Sequence, residues 1–544
     1  MASRPLILLA VGVLCAMAAN PAAAAQTSAE NSLLELRLTV VNLLQGLVEK
    51  GVLTREQAES MVQAAQEKAA SDAAATQAQA AAEAGAVRVP YVPQIVRDEI
   101  RKDVVQELTG EVAREVVEQA KAEEWGVPAA LPDWIKRIRW SGDLRVRSQL
   151  DSFAEDNIPN QYLNFLTVND RGGVVRAGTE AFENVTEDRQ RLRARLRVAL
   201  DAELGPGWSF GARLSTGNLR NPVTANQTLG NTSARYQTGL DRAYVRWTGN
   251  SDDVAHVWTA WGGRLPNPFE STELVWDNDV AFEGLAGNYR LGLGSGDPYS
   301  HFAFLTLGAF QIQEVELSAK DKWLLGAQLG VDWRTDGGSR IRAAAAYYDY
   351  RNIAGRRNVL DSAVLDFTAP QFLQRGNTLF DIRNDADPTT NLYALASDFR
   401  LVNATASYEL KISDLHRVAV TLDYVRNIGF DEQEIQARIG TTVPIEERTE
   451  GYQAEVSFGH SVIARKNAWR AFLGYRYVQG DAVLDAFSDS NFRLGGTDAK
   501  GFYIGGDYSL TPRVFTRLRY LSGSEIDGPP FGVDVLQLDL NTQF

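Results

Sequence analysis

Arginine recurs at every second position in two stretches of the chain: Arg145 and Arg147 in LRVR, then Arg191, Arg193, Arg195 and Arg197 in RLRARLR. Arg213, Arg242, Arg246, Arg517 and Arg519 occupy matching positions in similar stretches. Charges in this pattern act through hydration and field rather than as a catalytic constellation. A one-sided basic surface in a narrow aqueous passage steers ions and favours anions. On neighbouring strands such side chains repel one another unless water, a loop carboxylate or a passing anion separates them. Carboxylates suited to that role cluster at Glu270, Glu273, Asp277 and Asp279. The plainer reading is that a wet interior simply needs polar side chains.

Little else in the chain suits chemistry. The four histidines, His256, His301, His416 and His460, fall in no nucleophile or metal motif. The single cysteine, Cys15, lies in the N-terminal leader, so a thiol catalyst or a disulfide framework is not expected. Arg356, Arg357, Asp381, Asp385 and Asp387 share one long connection, but its DIRNDADPT lacks the glycine and distal glutamate of a calcium loop. A formal charge of −14 argues against nucleic acid as a partner. The expectation is therefore no enzyme, no cofactor and no metal.

The elements that position these charges are strands. From about Trp134 the apolar period becomes two: Leu192, Ala194, Leu196, Val198 and Leu200 alternate with Arg191, Arg193, Arg195, Arg197 and Asp201. One face tolerates lipid and the other needs water. About sixteen such segments follow, centred near Leu144, Leu196, Leu214, Val245, Trp258, Phe282, Phe304, Ala327, Ala345, Phe399, Val420, Val456, Leu473, Ile504, Leu518 and Leu538. One more hairpin in the long loops would make eighteen. Connections after even-numbered segments are brief (GPGW, TGNSDD, GLGSGDPY, TDGGS, ISDL, SVIARKN, TPR), whereas those after odd ones are mostly longer. Short periplasmic turns and long outer loops give a transmembrane β-barrel this alternation. Trp140, Trp208, Trp247, Trp258, Trp333 and Trp469 fall near the short-turn end, as an interfacial girdle would, while Trp276 and Trp323 do not.

The connection holding Asn267 to Asp279 is the third outer one. Two geometries are open for it: a loop folded into the lumen that sets Glu270, Glu273, Asp277 and Asp279 against the arginines, or a tight turn between strand ends. The first outer loop or the loop from Asn352 to Asn391 is an alternative plug.

The N-terminus reads as an export signal over residues 1–25, with Arg4 before an apolar run and small residues at Ala23 and Ala25. Residues 26–130 carry helical patterns: Leu33 to Val48, a capping box at Thr54 and Gln57, and Val96, Ile100, Val104, Leu108, Val112 and Val116 spaced by four. This segment is expected in the periplasm, either packed on itself or joining protomers as a coiled coil. The barrel follows over residues 134–544. Its last strand sets Leu536, Leu538, Leu540 and Phe544 on one face, resembling the terminal signal read by barrel-assembly machinery.

The stretch GRLPNPFESTELVWDNDVAFEGLA, the barrel entry LPDWIKRIRWSGDLRVR and the prefix LVEKGVLTREQAE resemble a family of proteobacterial putative porins. That resemblance implies an outer-membrane channel in contact with lipid and lipopolysaccharide. Analogy with porins of this size implies a homotrimer. Small hydrophilic solutes or ions would be the cargo. The rival reading is a structural tether that holds the envelope through the helical prefix.

Overall fold

The computed structural model describes residues 137–250, 256–293, 301–316 and 318–544. The chain divides into two compact units, Met1–Ala86 and Val87–Phe544, and the described residues all belong to the second. The signal and helical readings for residues 1–130 lie outside the described residues, as does most of the TGNSDD and GLGSGDPY turns.

Among the described residues sixteen antiparallel strands close one sheet, to which the two-residue strand Gln227–Thr228 adds a short pairing. They are β1 (Ile138–Phe153), β2 (Arg189–Gly205), β3 (Trp208–Thr216), β4 (Thr238–Asn250), β5 (His256–Pro266), β6 (Ala281–Gly292), β7 (His301–Gln313) and β8 (Lys322–Arg334). The circuit continues through β9 (Arg340–Arg351), β10 (Arg400–Lys411), β11 (His416–Asn427), β12 (Glu450–His460), β13 (Trp469–Val478), β14 (Ala499–Thr511), β15 (Val514–Glu525) and β16 (Val533–Gln543). Each strand pairs with its sequence neighbours, and β16 pairs with β1 from Asp143↔Gln543 to Phe153↔Val533. Fifteen of the expected strand centres lie inside these strands. Phe399 sits one residue ahead of β10, where its carbonyl still accepts from the Tyr350 N–H at 3.0 Å.

Closure follows from side-chain parity. Leu144, Val146, Leu192, Leu196, Leu214, Leu329, Leu422, Leu473 and Leu518 are exposed on the outside, while Arg147, Gln149, Arg197 and Arg213 on the opposite faces of the same strands are buried. Outward apolar groups cost nothing in lipid, and a closed ladder leaves no backbone group unpaired there. Trp140, Trp208, Trp247, Trp258 and Trp333 are exposed at the short-turn end, with Trp208 directly opposite Trp247. Among the described residues no helix is long and apolar enough to cross a membrane.

The terminal aromatic completes the seam. Phe544 exchanges two backbone hydrogen bonds with Gly142, at 2.9 and 3.0 Å, and its ring lies outside. Deleting Phe544 is expected to lower the yield of heat-modifiable, folded barrel on semi-native electrophoresis. An unchanged yield would show that the seam closes without it.

The eight long connections, L1 to L8, span residues 154–188, 217–237, 267–280, 314–321, 352–399, 428–449, 479–498 and 526–532. L1 carries helices α1 (Phe165–Arg171) and α2 (Val174–Ala177), and L6 carries α3 (Glu432–Ile439), none of which the strand periodicity signals. The ends of α3 are nonetheless written locally. Asp431 accepts the Glu434 N–H at 3.1 Å, and Gly440 takes a left-handed φ of 77° as its C-cap. Ile435, on its buried face, packs into a small loop core with Phe380, Ile382 and Ala394.

Candidate functional site: the lumen and its third loop

L3 folds into the lumen. Its apolar residues Phe269, Leu274, Val275, Trp276 and Val280 are at most 3 % exposed. Trp276 meets Phe282 and Tyr348 edge to face, with ring centroids 4.9 and 5.3 Å apart, and Phe269 meets Tyr348 at 5.0 Å. The Phe269 ring lies on Gly326 of β8, where any Cβ would overlap it. A rung of two glycines, Gly263↔Gly284, stands at the base of the loop, with φ of 117° and 151°. A side chain at Gly263 would strike the Ala243 carbonyl across the sheet.

Polar contacts then carry L3 across the barrel. On one side the Glu270 N–H donates to Gln328 at 2.8 Å, the Gln328 amide donates back to the Glu270 carbonyl at 2.7 Å, and Arg342 on β9 donates to the Glu270 carboxylate at 2.8 Å. Thr272 donates its hydroxyl to Asp423 on β11 at 2.6 Å. On the other side Asp279 accepts from Arg195 at 3.3 Å and from Arg197 at 3.2 Å, both on β2, and from the Ala225 N–H in L2 at 3.1 Å. Glu273 lies between these anchors, 3.6 Å from Arg519 and 3.8 Å from Arg476. The infolded geometry holds and the tight-turn geometry does not.

The four acidic residues do not form one bank. Asp279 stands against the β2 arginines, Glu273 approaches β13 and β15, and Glu270 pairs on β9, outside the sector from β1 to β4. Among the described residues Asp277 makes no ion pair with an arginine. Its carboxylate accepts from the Ser490 N–H of L7 and from the Asp279 N–H, at 3.0 and 2.8 Å, and its own N–H donates to the Phe487 carbonyl. Burial, then the neighbouring Asp279, Asp489 and Glu273 charges, pushes the Asp277 carboxyl well above the usual range. Burial alone would raise Asp279 too, but Arg195, Arg197 and Arg145 hold it well below that range.

Because Asp277 binds its proton more tightly in the native loop than in an unfolded chain, the L3–L7 contact is favoured at low pH. It weakens as pH rises through the native value. Open-channel current noise is expected to be greater above the native value than in the ordinary carboxylate range at about pH 4, and Asp277→Asn to remove that dependence. Equal noise at both pH values would contradict this.

All eleven arginines of the alternating pattern are on inward positions. In the register Arg145 faces Arg195, Arg147 faces Arg193, and Arg213 faces Arg242. Such like-charged neighbours repel by about 4 kcal/mol at 4 Å in a partly screened setting, so they need counter-charges. Asp539 takes Arg147 through two bonds at 2.7 and 2.8 Å. Asp151 takes Arg191 at 2.5 Å, and Asp143 takes Arg195 and Arg197 at 2.8 and 2.7 Å. Asp241 pairs with Arg213, and Asp507 accepts from Arg517 at 2.5 Å. The hydrogen bonds of Arg145, Arg193, Arg246 and Arg519 go to neutral oxygens of Asn226, Gln149, Ser209 and Gln537.

The alternation also runs through residues outside that set. RIRAAAAYY puts Arg340 and Arg342 inside, where both hold Asp332. Arg417, Arg470 and Arg476 are inward on β11 and β13, and Arg476 donates to Asp489 of L7 at 2.7 Å. The basic lining is therefore not confined to one wall. L7 itself is folded in, with Asp481, Asp485, Asp489, Arg493 and Thr497 all at most 3 % exposed. Among the described residues no group of three or more His, Cys, Asp or Glu side chains is arranged to hold a metal ion.

A sequence profile of the family described as "Putative porin" matches residues 37–544. The chain belongs to the putative porin family. As a porin with a closed sixteen-stranded barrel, it is an outer-membrane protein. No curated protein matches the chain at a significant level. Among solved structures, Pseudomonas putida OprB is similar at 11 % identity with a TM-score of 0.41, covering 77 % of this porin and 97 % of that chain. A mutant of the Rhodopseudomonas blastica porin is 13 % identical with a TM-score of 0.34, covering 75 % and 100 %. A loop-deleted Vibrio cholerae OmpT is 12 % identical with a TM-score of 0.38, covering 75 % and 99 %.

Proposed function

We propose that this porin passes small hydrophilic solutes and ions through an arginine-lined lumen that favours anions, with L3 as its constriction. The observation that supports the reading most directly is Asp279. One loop carboxylate spans Arg195 and Arg197, while Arg145 across the rung and Arg193 on the same strand donate only to amide oxygens. Two guanidinium charges beside the path thus have no carboxylate hydrogen-bonded to them, and in a narrow passage they attract anions and repel cations. Glu270 and Glu273 on the same loop face arginines of their own, Arg342 for the first and Arg476 and Arg519 for the second. The reading includes no catalytic step. Export through residues 1–25, a periplasmic role for residues 26–130, insertion by barrel-assembly machinery and a homotrimer belong to the same proposal. Purified protein in a planar bilayer under a KCl gradient should give a reversal potential of the sign set by chloride. A potential set by potassium would reject the anion preference, and absence of conductance would reject the channel.

A further inference from the structure

Above the Asp279 contact, towards the long-loop end, lies a cavity of about 350 Å³. Its floor and wall are Gln149 and Asp151 of β1 with Arg189, Arg191 and Arg193 of β2, and four loops close over them: L1 with Glu183, L2 with Asn221, L5 with Arg375 and L7 with Ser490. The loops are tied together by side chains. Arg375 pairs with Glu183 at 2.5 Å, and Gln374 donates to the Asp485 and Ser488 carbonyls at 2.6 and 3.0 Å. The chamber is therefore built rather than left between loose loops.

Its charge is unbalanced. Four arginines line it against two carboxylates, and each carboxylate already holds one arginine through a terminal nitrogen. The Nε atoms of Arg191, Arg193 and Arg375 are buried without a hydrogen-bond partner. A buried donor left unmade costs about 1–3 kcal/mol, so the guanidinium charge of this wall is only partly offset by the protein's own acceptors. A guanidinium edge offers Nε and a terminal nitrogen in the fork that a carboxylate matches. Asp151 and Glu183 retain lone pairs for hydroxyl donors, and they limit the positive surplus to what one or two negative charges would offset. Apolar surface comes chiefly from Phe153, Phe182 and Leu494. The volume lies at the low end of small-molecule sites, which run from about 300 to 1,000 Å³.

We infer that this chamber is a binding site for a small hydroxylated carboxylate, of the size of a six-carbon sugar acid, held before it enters the constriction. The inference rests on the anion-favouring reading and names its solute class. The transfer route is on the same strand. Arg189, Arg191, Arg193, Arg195 and Arg197 repeat along one face of β2 at steps of about 6.7 Å, so an acid released by Arg193 meets Arg195 next.

The test is calorimetric titration of the detergent-solubilised full chain with D-gluconate, alongside D-glucose and propionate, with reversal potentials recorded on the same preparation. Gluconate should bind, and glucose and propionate should each bind at least roughly tenfold more weakly. Arg193→Gln and, separately, Arg375→Gln in L5 should each weaken gluconate by roughly tenfold or more, as loss of a charged hydrogen bond predicts. Heat-modifiable mobility certifies that each variant is folded. Gluconate binding no tighter than glucose, or unaffected by both substitutions, overturns the site. A chloride-set reversal potential without gluconate binding sinks the site and spares the pore reading. Gluconate binding in a channel without anion preference keeps the site and removes the reading.

Discussion

Replacing Arg193, Arg195 and Arg197 together by glutamine is expected to lower the anion-to-cation permeability ratio by about tenfold, equivalent to about 1.4 kcal/mol. The estimate is modest because Arg195 and Arg197 are already offset by Asp143 and Asp279. The reciprocal change fixes the sign. Asp279→Asn strips the carboxylate shared by these two arginines and leaves their charge facing the lumen, so its reversal potential should move further towards chloride. Reversal potentials in KCl gradients measure both. Unchanged potentials in the triple variant would mean that the arginines serve only as wet lining. Glutamine keeps hydrogen-bonding capacity at each position, so the comparison isolates charge from polarity.

Trp276→Ala should unseat L3. The ring is 2 % exposed and touches Phe282, Tyr348 and Phe487, with centroids 4.9 to 5.8 Å away. Truncating a buried aromatic of this kind costs about 3–5 kcal/mol. The sixteen ladders do not depend on it, so the loss should fall on the loop. The anchors at Glu270 and Thr272 lie on one side of Trp276 in the chain and Asp279 on the other, so this ring supports the middle of the crossing. We expect a folded, heat-modifiable barrel with higher single-channel conductance and faster liposome swelling in larger sugars. Wild-type conductance from a folded variant would show that L3 is not the narrowest part.

The barrel was legible because its rule is local. Alternation assigns each residue of RLRARLRVAL to lipid or lumen without reference to the rest of the chain, and the same rule would have found Arg340 and Arg342 in RIRAAAAYY. Brief turns such as TDGGS and TPR were equally plain, since they need only a few residues of the right type. The constriction was not legible in that way. Glu270 meets Arg342 across 72 positions and Asp277 meets Ser490 across 213. These encounters exist only after the sheet has curved and closed, so nothing near Glu270 distinguishes it from Asp279. L7 gives no signal of its role, because its Asp485, Asp489, Ser490 and Asn491 read as an ordinary polar connection. The helix α3 is an exception among the loops, since its caps Asp431 and Gly440 are local signals.

The seam between β1 and β16 also governs time. Arg147 and Asp539 are separated by 392 positions, yet their bidentate pair lies within the final join. No fragment that lacks β16 can make that join, because β16 is the strand that β1 needs for a partner. Until then the chain carries two unsatisfied edges and outward leucines with no bilayer around them. Its passage to the membrane is a race between delivery and aggregation, and the pairing of β16 with β1 ends it.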